Sequence, residues 1–249
     1  MPALTDADLY IRGAQTVVAS WEAIARGSRG AAVIRRAGVA AAVFPHEPER
    51  SVYNNALLDR GLAAAERAGT LAAMEAAYAS AGVGRFAAWV HESDEAMRAE
   101  LAARGYTIDT ATRAMGMALG DLDVPRPAIE LAPVDWARYR RYLHRVGVPH
   151  GLLRSADPHA FHVLSARSDG EDVATAIAFD RDSDCGIYNV STLERTRRRG
   201  IGTALTARHL HDAVARGCRT ASIQSTAMAE RIYAAVGFRD LGRFLEYVP

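Results

Sequence analysis

The sequence predicts an α/β protein built from two similar halves, each a mixed, mostly antiparallel sheet flanked by helices. Three observations predict it. The segment Gly120-Asp121-Leu122-Asp123-Val124-Pro125-Arg126-Pro127 concentrates turn formers near the middle of the 249 residues. On either side of it the elements recur in one coarse order: helix, strand pair or meander, helix, strand, helix, strand. The halves also share a glycine-aromatic ending, Arg104-Gly105-Tyr106 in the first and Val236-Gly237-Phe238 in the second. These give a half of residues 1–120, a linker of 121–127 and a half of 128–249. A single larger α/β domain is the alternative.

In the second half, Ile129-Glu130-Leu131 reads as a short extended start. Asp135 to Val146 reads as a helix with Trp136, Tyr139 and Leu143 at spacings of three and four. Phe161–Ala166 and Val173–Phe179 are strands, with Asp169-Gly170 a favoured hairpin pair between them. Cys185–Thr192 is a further strand, and Gly202–Arg216 a helix ending at Gly217. Thr220–Gln224 is a strand. Ala227–Val236 is a helix with Thr226 as its N-cap and Met228, Ile232 and Val236 facing the core. Leu241–Val248 closes the chain as a strand. In the first half, Ala31–Arg35, Val39–Phe44 and Phe86–Val90 read as strands. Leu71–Ala79 and Glu95–Arg104 read as helices, with extended chain from Tyr106.

Composition bounds the function. With 49% hydrophobic and 24% charged residues, the chain has ample material for a core. A formal net charge of +1 gives no general basis for nucleic-acid binding. All basic side chains other than histidine are arginines, so self-acetylation on lysine side chains is excluded. Cys185 and Cys218 make no disulfide framework. No apolar run reaches membrane-spanning length, and the opening Met1-Pro2-Ala3-Leu4-Thr5-Asp6 lacks the charge pattern of a signal peptide. A cytoplasmic protein without a membrane or nucleic-acid partner is expected, as a monomer or homodimer. No metal-ligand spacing occurs: His209 and His211, two apart on a helix, point to different faces.

Chemistry concentrates in two stretches. Arg197-Arg198-Arg199-Gly200-Ile201-Gly202-Thr203 follows the strand-like Gly186–Thr192 and opens a helix. The glycines let backbone N–H groups approach a diphosphate, the helix dipole points its positive end there, and the arginines add charge-assisted bonds. Thirty-one residues after Gly202, Tyr233-Ala234-Ala235-Val236-Gly237-Phe238 places a phenol on the last turn of a glycine-capped helix. A solvated arginine run and a core-margin tyrosine are the plain alternatives.

Jointly and in this order, the two stretches resemble the acetyl-CoA signature of the Gcn5-related N-acetyltransferase (GNAT) superfamily. The resemblance implies acetyl-CoA as co-substrate and an N-acetyltransferase acting on an unknown amine acceptor, by direct attack without a covalent enzyme intermediate. It assigns the diphosphate to Arg197–Thr203, the pantetheine arm to backbone groups of Val190 and Thr192, and a further contact to Thr226, where the family often has asparagine. Glu194 stands where a proline is common. The resemblance makes Tyr233 the general acid for the departing thiolate. It leaves the base open among Glu194, Glu246, His150 and water. In the first half, Leu101 stands where the second has Tyr233, and no Arg-x-x-Gly-x-Gly occurs, so a degenerate coenzyme site is expected there. A non-catalytic acyl-CoA-binding or scaffolding protein of the same fold is the alternative function.

Overall fold

The computed structural model describes residues 4–49, 52–120 and 122–249; the calls at Met1, Pro2, Ala3 and Asp121 lie outside them. The fold is mixed α/β, with mostly antiparallel strand pairs flanked by helices. The residues divide into two compact units, Met1–Val17 with Ala114–Leu241 and Val18–Arg113 with Gly242–Pro249. Each unit thus draws on two stretches of chain.

The 18–113 unit contains β1 (Ala32–Arg36), β2 (Val39–Val43), β3 (Asn55–Leu58), β4 (Ala87–His91) and the end of β11 (Arg239–Val248), in that order across its sheet. β1–β2 and β2–β3 pair antiparallel, and β3–β4 pair parallel from Asn55↔Ala87 to Leu57↔Trp89. β11 runs antiparallel to β4, with Phe244 opposite His91. A parallel pair needs a crossover, and α2 (Ala64–Ser80) supplies it; α3 (Glu95–Ala103) follows β4. β2, β3 and β4 are buried along their whole length, as in a sheet covered on both faces. Alternate residues Val39, Ala41, Val43, Ala56, Leu58, Ala88 and Val90 pack against Leu71, Met74, Tyr78, Met97 and Leu101 of the two helices.

α2 begins seven residues before the Leu71 that apolar spacing predicts. Ala64–Thr70 carries little periodic apolar signal, and Glu66 fixes the start by accepting the Ala63 N–H at 2.8 Å. Two other elements were not given bounds by the sequence pattern: α1 (Asp6–Gly27), which contributes to both units, and the four-residue β3.

The 114–241 unit has strand order β5 (Thr107–Ala118, from Ala114), β10 (Thr220–Ser225), β9 (Asp184–Thr192), β8 (Glu171–Arg181), β7 (His162–Ser168), β6 (Leu131–Pro133). Neighbouring strands from β6 to β9 pair antiparallel; β9 and β10 are parallel, connected by α5 (Ile201–Ala215). Asp169 and Gly170 both adopt positive φ (51° and 82°), the backbone a two-residue hairpin demands. α4 (Trp136–Arg145) starts at Asp135, whose carboxylate accepts the Arg138 N–H at 2.7 Å. Asp157 likewise accepts the His159 N–H at the start of a short 3-10 turn over Pro158–Ala160.

α6 (Glu230–Val236) departs from the expected Ala227 start. Residues 226–229 form a turn closed by Ala229 N–H to the Thr226 carbonyl at 2.9 Å, so Ala229, not Thr226, is the N-cap. Of the three apolar residues expected in the core, only Val236 is buried; Met228 and Ile232 are exposed. Both cysteines are buried free thiols whose ionisation is suppressed by burial, Cys218 being pushed up to about 12. Among the described residues no helix is long and apolar enough to cross a membrane.

His209 and His211 do face apart: His209 is fully buried, while His211 Nε2 lies 2.8 Å from the Val124 carbonyl. Burial drives the His209 imidazole down to about 4, against the opposing pull of the Ala176 backbone. Below an unfolded-state value of about 6.5 the unfolded chain takes up a proton that the native state refuses. Native stability from this group is therefore present above pH 6.5 and is lost as pH falls to 4, by about 3 kcal/mol at 1.36 kcal/mol per unit. Glu246 acts in the opposite sense: burial, with the Asp109 charge, lifts its carboxyl to about 7, so native binding of its proton adds stability as pH falls from 7. The difference between wild type and His209→Gln isolates the imidazole. Urea unfolding between pH 7 and 4 should show a flatter loss for the variant, and parallel curves would contradict a neutral buried His209.

Candidate active site

The parallel pair β9–β10 opens the site. Its pairing runs from Asp184↔Thr220 to Ile187↔Ile223, after which β9 continues to Thr192 paired with β8 and no longer with β10. A bulge starts that departure. Ile177 pairs with Tyr188 but Thr175 with Ser191, and Asn189 at the bulge has φ 50°. One extra residue bends a strand and takes its backbone out of register. Past the bulge, Val190, Ser191 and Thr192 line a cleft of about 880 Å³.

The loop after β9 is anchored before it turns. Leu193 N–H donates to the Val173 carbonyl at 2.8 Å, and buried Thr196 donates its hydroxyl to the Leu193 carbonyl at 3.0 Å. Arg197 Nε reaches back to the Thr192 carbonyl at 3.3 Å. Arg198 (φ 63°) and Gly200 (φ 74°) then take left-handed conformations and turn the chain into α5. Ala204 N–H makes the first α-helical bond, to the Gly200 carbonyl at 2.9 Å, so the N–H groups of Ile201, Gly202 and Thr203 have no acceptor within the helix.

That end of α5 differs chemically from the starts of α2, α3 and α4. Those three are met by carboxylates: Glu66 on Ala63 N–H, Asp94 on Met97 N–H at 3.1 Å, and Asp135 on Arg138 N–H. α5 has no side-chain cap and follows three arginines. Free donors, the positive dipole end and guanidinium groups converge on one wall, as an anion requires. A Cβ built on Gly202 would meet Val190 Cγ1 only at 3.8 Å and Thr192 Oγ1 at 4.0 Å. Protein packing therefore does not demand glycine there; its effect is to leave the backbone bare toward the cleft. Arg197, Arg198, Gly200, Ile201, Gly202 and Thr203 all line the cleft, whereas Arg199 is exposed outside the lining.

The opposite wall comes from the turn and helix after β10. Thr226 and Tyr233 line it, as do Met228, Ala229, Arg231 and Ile232, which the sequence pattern did not place there. Tyr233 is held by the helix end. Gly237 (φ 105°) donates to the Ala234 carbonyl and Phe238 N–H to that of Tyr233, both at 3.0 Å, while the Phe238 ring stands edge-on to the phenol at 6.1 Å. The tyrosine is only 6% exposed, and burial pushes its phenol up to about 12. It keeps its proton throughout the neutral range.

Glu194, Glu246 and His150 do not line this cleft. Glu194 is exposed in the turn before the loop, His150 Nδ1 lies 3.0 Å from the Val148 carbonyl, and Glu246 belongs to the 18–113 unit. Among the described residues no group of three or more His, Cys, Asp or Glu could hold a metal ion.

No curated protein matches the sequence significantly. Among solved structures, a GCN5-related N-acetyltransferase from Kribbella flavida aligns over 95% of both chains with a TM-score of 0.72 at 21% identity. A tandem GNAT protein from the clavulanic acid biosynthesis pathway aligns over 99% of this chain and 96% of its own, with a TM-score of 0.60 at 15% identity. A GCN5-related N-acetyltransferase from Sphaerobacter thermophilus aligns over 99% and 94%, with a TM-score of 0.57 at 16% identity. At these identities the likeness is one of fold. The sequence model of the acetyltransferase (GNAT) family matches residues 126–238, which include every wall of the cleft.

Proposed function

We propose that the cleft binds acetyl-CoA and that the protein transfers the acetyl group to the amine of a small-molecule or peptide acceptor. The observation that carries this reading is the convergence, in one cleft, of an uncapped helix start behind an arginine loop, a strand end parted from its parallel neighbour and a buried protonated phenol. Acetyl-CoA supplies an acyl group already activated as a thioester. The N–H groups of residues 201–203, with Arg197 and Arg198, hold a diphosphate by charge-assisted bonds. Backbone groups of Val190 and Thr192 hold the pantetheine arm, and an N–H at this strand end polarises the acyl carbonyl. Fixing the donor in this way favours attack through proximity and orientation. Tyr233 holds a proton at Oη for the leaving sulfur.

The two halves read as repeats of one unit, 1–120 and 128–249, joined by 121–127. The order β1, β2, β3, α2, β4, α3 recurs as β7, β8, β9, α5, β10, α6, with the same antiparallel, antiparallel, parallel pairing. The helix ends agree in detail: Gly105 (φ 88°) donates to Ala102 and Tyr106 N–H to Leu101, as Gly237 and Phe238 do to Ala234 and Tyr233. The first repeat nevertheless lacks the chemistry. Leu101 is buried where Tyr233 stands, and carboxylates occupy the backbone leading into α2, with Ala63 N–H donating to Glu66 and Gly61 N–H to Asp94 at 3.0 Å. A diphosphate there would meet the Glu66 and Asp94 carboxylates, where the second repeat presents Arg197 and Arg198. One coenzyme per chain follows.

Two measurements test the activity. Saturating acetyl-CoA should raise the melting temperature, since a ligand selective for the native state stabilises it by about 2.7 kcal/mol at one hundred times Kd. A screen of primary amines for acetyl-CoA-dependent thiol release should identify at least one acceptor. Stabilisation without turnover on any amine would favour the non-catalytic acyl-CoA-binding alternative.

A further inference from the structure

The bulge in β9 is gripped from outside its own sheet. Pairing with β10 stops at Ile187↔Ile223, and pairing with β8 passes from Ile177↔Tyr188 to Thr175↔Ser191, so two residues, Asn189 and Val190, stand opposite Ala176. Asn189 is exposed, so no packing forces its left-handed backbone (φ 50°), which is unfavourable for a residue with a Cβ. Two phenols of α4 bracket this segment. Asn189 Nδ2 donates to Tyr139 Oη at 3.3 Å, and the Tyr142 hydroxyl donates to the Ser191 carbonyl at 3.1 Å. The Val173 carbonyl and Ser191 Oγ lie farther from that hydroxyl, at 3.4 and 3.5 Å, so its one proton goes to the Ser191 carbonyl. Val190, between the two anchored residues, lines the cleft; Tyr139, Tyr142 and Asn189 do not.

α4 is a firm mount for these hydroxyls. Arg138 grips Asp172 of β8 through Nε and Nη2 at 2.5 and 2.6 Å, and Asp172 also accepts from Ser165 Oγ of β7 at 2.9 Å. The helix is thereby tied to the two strands that support β9. Tyr139 and Tyr142 are both buried, and burial raises both phenols, so each stays a neutral hydrogen-bonding group through the neutral range. Filling the space under α4 needs only their rings. We propose that Tyr139 and Tyr142 are positioning residues: through Asn189 and the Ser191 carbonyl, their hydroxyls fix the bulged end of β9 so that its backbone meets the acyl group of the donor. This role rests on the acetyl-CoA reading above. Neither phenol lines the cleft, so each acts through β9.

The test pairs amide hydrogen exchange of the free full-length chain with infrared spectroscopy of bound acetyl-CoA carrying a 13C-labelled carbonyl. Tyr139→Phe and Tyr142→Phe keep the buried rings, including the Tyr139 contact with Trp136 at 5.6 Å. Asn189→Gly keeps the left-handed backbone and removes only the amide. All three variants should therefore fold. Each should speed exchange at the Asn189, Val190 and Ser191 amides by about fivefold, the worth of one neutral hydrogen bond. That factor is counted beyond any change in global stability, which urea unfolding of the same variants reads. Combining Tyr139→Phe with Asn189→Gly should add nothing, because both remove the same bond. Each substitution should also raise the stretching frequency of the bound carbonyl, since a displaced strand end polarises it less, while acetyl-CoA affinity stays nearly unchanged. Wild-type exchange at these three amides in every variant overturns the proposal. So does faster exchange with an unmoved carbonyl band. A wild type that binds no acetyl-CoA contradicts the donor reading and, with it, any role toward an acyl group; the exchange rates then still report whether the phenols hold β9.

Discussion

Replacing Tyr233 by phenylalanine should lower turnover by about 100-fold to 10,000-fold while leaving acetyl-CoA affinity nearly unchanged, the range general acids usually contribute. The substitution keeps the ring, its edge-on contact with Phe238 and its place in the buried cluster with Val236 and Ile223. Stability should therefore change little. What is lost is a proton donor needed only as sulfur departs, a transition-state effect that appears in kcat and not in binding. Because burial holds the phenol at about 12, wild-type turnover should show no decline from tyrosine ionisation between pH 7 and 10. Water that reaches the site places the loss near the lower end of the range. Steady-state kinetics with an identified acceptor, alongside a binding titration, checks the split. Equal turnover in both proteins would make Tyr233 a packing residue.

Gly202→Asp should weaken acetyl-CoA binding by roughly 100-fold or more, since like charges placed face to face cost several kcal/mol. The same change should leave the free protein as stable or slightly more so. An added Cβ meets only ordinary contacts at 3.8 and 4.0 Å, glycine inside a helix is unfavourable, and an acidic side chain in the first turn suits the dipole. Opposite signs on stability and affinity separate a ligand effect from a folding defect. Melting curves with and without acetyl-CoA read both quantities. A ligand-induced rise retained in the variant would remove the diphosphate from this loop.

Local chemistry explains what was legible in the sequence. Asp169-Gly170, Gly217 and Gly237 each announce a backbone that few other residues adopt, and each has positive φ. The strand–loop–helix from Gly186 to Thr203 was readable because its glycines, arginines and β-branched residues each favour their own place. What escaped depends on partners distant in sequence. β3 has four residues and is buried by β2 on one side and β4 on the other, neither of them its immediate continuation in local pattern. The pairing of β11 with β4, between residues more than 150 apart, leaves no trace in spacing along either strand. At α6 the periodicity of Met228, Ile232 and Val236 matched a core face. The turn closed by the Thr226 carbonyl, and the cleft alongside it, instead leave two of the three in water. Arg231, one residue in a chain rich in arginine, carried no signal until the cleft placed it.

Calorimetric titration of the wild-type chain with acetyl-CoA tests the central claim most directly. The uncapped, arginine-flanked start of α5 and the carboxylate-flanked start of α2 predict one binding site per chain. A saturable isotherm with a stoichiometry near one is the expected result. No binding would contradict the assignment of the cleft, and a stoichiometry of two would contradict the account of the first repeat.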